Sequence, residues 1–428
     1  MDLTRRGFLD LTATAAVASL TPHRAESARR GPRLQQTVAA AHDDPLGVRK
    51  DFPALRDFTF LNTAYTGLIS QAVVDAAREW TATRAGRTYT VGEMLAKTDE
   101  ARKLYAEMIG AREDEIAFLS STSEGENIVV NSLDLKSGDN VVYDDLVYPS
   151  TPAIYQRLAE TKGIEIRVVK SRDGAVPVEE FARLGDRRTR LISVAWVNHN
   201  SGFRHDMKAL ALLAHGHGGY LYADAVQFIG SGPVDVHAEG VDFCTSGTYK
   251  WLMAGFGVAA FYVRRELLDR LHPPNVGWRS RPADNKDAQS AARKFEYATP
   301  AFGELYELAA ALKYLQRIGL DRIEVRSQTL VKRFRNGLAA RKMQIDTPDN
   351  NRSSIVSFYI RKPSAEAEKI LAAERVVAAL KAEPRPTMNS VFLSGPANAM
   401  FCPASDSGMV PSRSPFGLKT WTPPVETT

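Results

Sequence analysis

Residues 219–257 read GYLYADAVQFIGSGPVDVHAEGVDFCTSGTYKWLMAGFG, and the fold class turns on them. A short apolar run, 220–223, ends at Asp224. A helical turn follows, and a second run, 241–245, leads into the polar bend Ser246-Gly247-Thr248-Tyr249-Lys250. Such short apolar runs bounded by turn formers read as buried strands of a doubly wound α/β sheet. In those sheets functional side chains stand just past the carboxyl ends of strands. Asp224 and Lys250 both fall there, so a carboxylate and an amine are offered to one ligand. Together they suit a protonated ring nitrogen and an aldehyde carbon. Taken singly, each has a plainer use: Asp224 as a helix N-cap, Lys250 as a solvated charge, Gln227 as a surface amide.

Three segments in one order, D-A-V-Q at 224–227, G-V-D-F at 240–243 and S-G-x-x-K-W-L at 246–252, carry a resemblance. They resemble the class V (cysteine desulfurase-like, isopenicillin N epimerase-like) aminotransferase family of fold-type I pyridoxal phosphate enzymes, over residues 60–315. The resemblance implies a mostly parallel sheet with helices on both faces and a smaller C-terminal α/β domain. It implies pyridoxal 5'-phosphate as cofactor, with Lys250 as its covalent anchor and acid-base group and Asp224 keeping the pyridine protonated. Gln227 and Asn198 are expected at the phenolic oxygen, and Ser246 and Tyr249 near the phosphate.

The rest of the chain fits around that site. Residues 58–62 read as a strand entering Thr63-Ala64-Tyr65-Thr66-Gly67, which resembles the family's access loop beside the substrate pocket. Helices are expected over 71–85 and 91–109 from apolar positions three and four apart. After the strand 116–119, Ser120-Ser121-Thr122-Ser123-Glu124-Gly125 opens a helix over 124–133. A helix start rich in hydroxyls offers unpaired N–H groups and the positive end of its dipole to a phosphate. Thr122 or Ser123 equally reads as a simple N-cap. T-S-E-G resembles the family's phosphate motif, which puts both residues in the cofactor site. The strand 140–143 leads to Tyr148, where the resemblance places a ring stacked on the pyridine. An outer strand over 166–169 and a helix over 178–184 precede the strand 190–197, which ends at Asn198. His199 beside it reads as a structural hydrogen-bond partner rather than a general base. Residues 276–289 are polar and irregular and read as a loop over the site. F-E-Y-A-T-P at 295–300 resembles a segment whose threonine, here Thr299, reaches the phosphate of a neighbouring subunit. That implies a homodimer; the plainer role for Thr299 is N-cap of a helix over 302–318.

Composition narrows the class. A chain of 428 residues, 44% hydrophobic and 25% charged, has room for a large core. Its net charge of +5 is spread through the sequence, which does not suggest nucleic-acid binding. The two cysteines, Cys244 and Cys402, have no disulfide or zinc spacing. Thr4-Arg5-Arg6-Gly7-Phe8-Leu9 and the Ala/Thr-rich stretch after it match a twin-arginine export signal ending near residue 25. The translocase of that route is then a partner during export and the periplasm the destination. No other stretch approaches the roughly 20 apolar residues of a membrane span.

The expected organisation is a signal at 1–25, a linker at 26–50, a large cofactor-binding domain at 51–310 and a small domain at 311–383. The small domain is read from a helix over 321–342 and a strand over 354–360. From 384 to 428 the sequence is Pro/Ser-rich with little helical or strand period, as a frameshift would leave it. The family's carboxylate-binding arginine segment has only a faint echo at Arg413-Ser414, so no substrate-carboxylate anchor is assigned. Cys244 lies inside a buried strand and Cys402 in the aberrant tail, which disfavours a desulfurase. The expected activity is therefore chemistry at the Cα of an amino acid or other amino-group-bearing small molecule, aminotransferase- or epimerase-like. The contrasting expectation is a noncatalytic homologue with an incomplete C-terminal domain.

Overall fold

The computed structural model describes residues 44–280, 291–349, 351–360, 376–377, 379–382 and 389–392. Its strands are β1 (Thr59–Phe60), β2 (Ile116–Leu119), β3 (Asn140–Asp144), β4 (Glu165–Val169), β5 (Thr189–Ala195), β6 (Tyr220–Asp224), β7 (Phe243–Gly247), β8 (Ala259–Val263), β9 (Tyr359–Ile360), β10 (Val376–Val377), β11 (Ala379–Ala382) and β12 (Asn389–Phe392). Its α-helices are α1 (Gln71–Gly86), α2 (Val91–Ile109), α3 (Thr122–Ser132), α4 (Ser150–Lys162), α5 (Val178–Leu184), α6 (Met207–Gly216), α7 (Arg265–Leu268), α8 (Phe302–Ile318) and α9 (Leu320–Ala340).

The main sheet has the order β2-β8-β7-β6-β5-β3-β4. Strands β3 to β7 pair in parallel, and β8 runs antiparallel to both its neighbours. Strand β2 therefore points the same way as the parallel set, and the carboxyl ends of β2, β3, β5, β6 and β7 share one edge. This is the α/β, fold-type I architecture that the sequence implied. Because successive side chains alternate between faces, each strand feeds two cores. Leu221, Ala223 and Cys244 join Tyr105 and Ile109 of α2 and Leu308 and Leu312 of α8. Tyr222 and Phe243 join Ile128 and Val129 of α3 and Tyr155 and Leu158 of α4 on the other face.

Local chemistry explains the helix limits that the sequence predicts well. At α2 a capping box closes the start: Glu93 N–H donates to Thr90 Oγ1 at 3.2 Å, and Thr90 N–H donates to Glu93 Oε2 at 2.8 Å. Gly110, at φ 68°, ends it in the left-handed conformation that glycine takes freely.

Several expectations shift. Helix α3 starts at Thr122, two residues before the expected start, because Ser121 is its N-cap and accepts from Glu124 N–H at 3.1 Å. Thr122 and Ser123 are thus first-turn residues rather than caps. Strand β7 occupies 243–247 instead of 241–245, since Asp242 is spent on Leu221 N–H, His215 and Arg264. Antiparallel β8 and helix α6 were not anticipated. Val48 and Phe52 are buried, so folded chain extends into the expected linker. Helix α8 runs unbroken through residue 310, the expected domain boundary. The strand expected over 354–360 is only β9 plus a single bridge between Ile345 and Phe358. Strand β12 lies in the stretch read as irregular, where it pairs antiparallel with β11 and β9. Edge pairing recruits it, and a strand that short shows no alternation to read. A small apolar cluster of Leu338, Val356 and Phe358 lies apart from the two cores of the main sheet. Residues 1–43, 281–290 and 393–428 lie outside the described residues, and with them the signal, most of the expected loop over the site, Cys402 and Arg413. No helix among the described residues is long and apolar enough to cross a membrane.

Candidate functional site

Asp224 is the last residue of β6, and Lys250 stands three residues past β7, its parallel neighbour. The turn that carries Lys250 is closed on itself. Thr248 Oγ1 donates to Gly255 O and is 3.0 Å from Val258 O, Ala254 N–H donates to Thr248 O, and Met253 N–H donates to Lys250 O at 3.1 Å. Met253 is held at φ 54°, a left-handed conformation unfavourable for a non-glycine residue and frequent near functional sites.

The turn is also clamped from outside. Gly67 N–H donates to Tyr249 O at 2.8 Å, and Thr66 Oγ1 donates to the same oxygen at 3.4 Å. A Cβ on Gly67 would overlap the Lys250 carbonyl oxygen, so that position is restricted to glycine. The access loop read from the sequence therefore buttresses the lysine turn, a role that only the long-range contact reveals.

Lys250 is 6% exposed, and its amine has no hydrogen bond or ion pair among the described residues. Burial lowers its pKa to about 8, against the opposing pull of Asp224. Asp224 is shifted the other way: burial raises its carboxyl, while the Val226 N–H at 3.0 Å and the Lys250 charge hold it down. A desolvated amine and a desolvated carboxylate that feel each other without pairing leave a gap suited to a ligand with an electrophilic carbon and a basic ring nitrogen.

Around this gap the structure gathers most of the expected residues. The side chain of Asn198 is fully buried; its Oδ1 accepts from Asn200 and Ser201 N–H groups and its Nδ2 donates to Leu146 O. Gln227 donates to Ala64 O at 2.8 Å and accepts from Trp251 Nε1 at 3.0 Å. Each amide keeps one N–H to spare, the complement of a phenolate oxygen. Tyr148 is half exposed, with its ring edge-on to His199 at 5.2 Å. Tyr249 stacks on Phe256 at 4.6 Å, and burial raises its hydroxyl to about 12, with Tyr148 and Asp224 adding to the effect. Among the described residues, the backbone N–H groups of Thr122 and Ser123 make no bond to another backbone group, which leaves them for an anion at the start of α3. These groups fit pyridoxal phosphate: an amine for its aldehyde, an acid for its ring nitrogen, amide donors for its phenolic oxygen and helix N–H groups for its phosphate.

Ser246 does not belong with them. It lies within β7, fully buried, on the same face as Cys244, and its hydroxyl faces Tyr105 of α2. Asp224 lies on the opposite face, in the row of Tyr222, whose hydroxyl is 2.6 Å from Thr245 Oγ1. The two-residue shift of β7 places Ser246 inside the strand rather than in the bend, where the alternation sets it on the Cys244 face. Thr299 is also corrected as a cap, since α8 begins after Ala301. Thr299 is exposed, accepts from Trp278 Nε1 at 3.1 Å and lines a cavity of about 210 Å³ with Ser120, Glu124 and Arg279.

Two acids in the site region were missed by sequence reasoning. Glu296, inside the F-E-Y-A-T-P segment, accepts from Arg102 Nη1 and from Phe118 N–H, both at 2.8 Å, and so ties that segment to α2 and β2. Glu126 of α3 is buried beneath Asp224. No residue pattern marked Arg102 as the partner of Glu296, because the two are 194 positions apart. Among the described residues no group of His, Cys, Asp and Glu is placed to hold a metal ion.

The Aminotransferase class-V family pattern matches residues 59–382. The chain belongs to that family. As a member of the class V aminotransferase family it is a pyridoxal phosphate-dependent enzyme. An uncharacterized aminotransferase of Bacillus subtilis, YcbU, is 33% identical over 67% of this chain and 77% of its own length. A probable cysteine desulfurase of Pyrococcus abyssi is 29% identical over 74% of this chain and 82% of its own. Among solved structures, the apo cysteine desulfurase of Thermococcus onnurineus NA1 superposes with a TM-score of 0.75 at 27% identity, covering 82% of this chain and 93% of that one.

Proposed function

We propose that this class V enzyme acts at the Cα of an amino acid or a related amine-bearing small molecule, in the manner of an aminotransferase or an epimerase. The observation that supports it is the unpaired, desolvated Lys250 amine opposite Asp224. Pyridoxal phosphate supplies an aldehyde that captures amines and a pyridine ring that withdraws electrons once protonated. In this reading Lys250 would anchor the cofactor, and its free amine would take and return the proton at Cα. Its lowered pKa leaves a useful fraction of neutral amine near neutral pH. Asp224 holds the ring proton. Asn198, Gln227, Thr122, Ser123, Tyr148 and Tyr249 orient the cofactor; Ser246 is withdrawn.

The test has two parts. The purified protein should show a visible cofactor band that borohydride removes, with the label mapped to Lys250 and absent in Lys250→Ala. A substrate screen should then read amino-group transfer separately from α-proton exchange. A colourless protein after reconstitution, or a label elsewhere, would falsify the reading and favour a noncatalytic homologue.

Relatives named as cysteine desulfurases support a second reading. Against it, Cys244 is buried on the face of β7 turned away from Asp224, and burial pushes its thiol far above the usual range. A thiolate nucleophile there is disfavoured, so desulfuration would fall to Cys402. Alanine formed from cysteine with its sulfur left as an enzyme persulfide, released as sulfide only on addition of a thiol reductant, and all of it lost in Cys402→Ser, would establish that activity.

The same reading includes a homodimer in which the exposed Thr299 approaches the neighbouring subunit's phosphate, and export to the periplasm through the Arg5-Arg6 signal. Thr299→Ala should weaken cofactor retention without dissociating the dimer. Arg5→Lys with Arg6→Lys should leave the enzyme in the cytoplasmic fraction.

A further inference from the structure

Behind Asp224, on the same face of the sheet, lies an acid that the proposed chemistry does not use. Glu126 sits in the second turn of α3, 3% exposed, and turns inward to the strands. Thr151 Oγ1 donates to its Oε2 at 3.0 Å, and Ser193 Oγ donates to its Oε1 at 3.1 Å. Thr151 is in the first turn of α4, and its N–H donates to Tyr148 O at 3.0 Å. Ser193 lies in β5, opposite Tyr222 of β6, on the strand that leads to Asn198. One carboxyl group thus bridges the helix whose start faces the phosphate, the turn that carries Tyr148 and the strand before Asn198.

Among the described residues, the ionisable groups that act on Glu126 are acidic. Asp224 and Tyr222 face it from β6, and Tyr155 faces it from α4, with Tyr143 of β3 stacked behind Tyr155 at 5.5 Å. No cation pairs with it among the described residues. Burial raises its carboxyl to about 7; Thr151 and Ser193 oppose the rise and Asp224 adds to it. A group held there changes charge across neutral pH, and it does so within reach of the acid assigned to the ring nitrogen. An apolar side chain would fill the same space without that penalty, so packing alone does not account for a carboxyl group.

We propose that Glu126 is a positioning residue that fixes α3, α4 and β5 as one frame behind Asp224 and whose charge sets how tightly the bound cofactor holds its proton. The inference rests on the assignment of Lys250 and Asp224 above. An anion behind Asp224 stabilises a cation in front of it, and the dry surroundings keep the effect from being screened. As pH rises through neutral, Glu126 ionises and the cofactor's proton is held more firmly than by Asp224 alone.

The experiment is a pH titration of the visible cofactor band of the holoenzyme, with cofactor retention measured in parallel by dialysis. Glu126→Gln keeps both hydroxyl partners and removes the charge. It should retain cofactor within about twofold and lower the midpoint by roughly half to one pH unit, the size of a charge acting across a partly desolvated gap. Glu126→Asp keeps the charge and should stay within a few tenths of wild type. Glu126→Ala should lose cofactor faster than either. A Glu126→Gln curve that superimposes on wild type, or a Glu126→Asp shift as large as that of Glu126→Gln, overturns the proposal while leaving the Lys250 assignment intact. Absence of any visible band in the wild-type protein overturns both.

Discussion

Among the described residues, two desolvated pairs of opposite charge differ in whether the partners meet. Arg102 and Glu296 meet directly: Nη1 to Oε1 at 2.8 Å and Nη2 to Oε2 at 3.3 Å, with Arg279 and the Phe118 N–H completing the carboxylate. Burial works against both ions, yet their mutual attraction wins, so Glu296 is held below the usual carboxylate range and Arg102 above its ordinary value. Lys250 and Asp224 are desolvated too, but they do not meet. There burial wins, the amine falls and the acid rises. A closed pair has satisfied its charges and serves the fold. An open pair keeps unsatisfied charge for a ligand, and the signs of the shifts tell the two apart.

The sharpest way to break this contrast is to remove one member of each pair. Lys250→Ala should abolish the borohydride-sensitive band and reduce turnover by roughly 10²–10⁴-fold, with little change in thermal stability. Glu296→Ala should do the reverse. It leaves Arg102 buried without its partner and should cost about 3–5 kcal/mol in denaturant unfolding. Equal stability losses in the two variants would erase the distinction.

The clamp on the open pair can be tested next. Gly67→Ala forces a methyl group against the Lys250 carbonyl oxygen and should cost about 1–3 kcal/mol, together with slower cofactor capture. Unchanged capture would mean that the turn needs no buttress.

The shifted amine gives a pH signature. Because the folded pKa of Lys250 is about 8, below the ordinary 10.5, the unfolded chain binds more protons between those values. Stability contributed at this site therefore rises with pH across that window. Pyridoxal phosphate capture by the apoenzyme should rise through about pH 8 and level off above it. Asp224→Asn, which removes the charge that holds the amine's pKa up, should move the inflection lower. An inflection near 10.5 would show a solvated lysine instead.

The smallest expected effect is at Tyr148. Its half-exposed ring offers stacking worth about 0.5–1.5 kcal/mol, so Tyr148→Ala should weaken cofactor retention by no more than roughly tenfold, measured by dialysis. Tyr148→Phe should be close to neutral.

Much of the site was legible because its residues follow strand ends, and strand ends are marked locally. The apolar run into Asp224, the hydroxyl cluster after β2 and the polar bend before Lys250 each announce themselves within a few positions. The misplacement of Ser246 shows the limit of such reading. A two-residue shift of β7 kept the strand's existence correct and yet moved the serine from the bend into the sheet, onto the face away from Asp224. Helix α3 shows a milder version: Ser121 took the cap from several equivalent hydroxyl residues, and only the hydrogen bond to Glu124 N–H chose among them.

Sequence alone determined most strands and helices of the main sheet, though not β8 or α6, together with the approach of a lysine and an aspartate to the same sheet edge, and hence the cofactor class, because alternation, caps and turn chemistry act over a few neighbouring residues. Tertiary structure decided which side chains are desolvated and which are paired. Glu126 beside Asp224, Arg102 on Glu296 and Gly67 beneath Lys250 are contacts across many positions. They arise only when the sheet brings distant segments together, and burial then sets the charge each group carries.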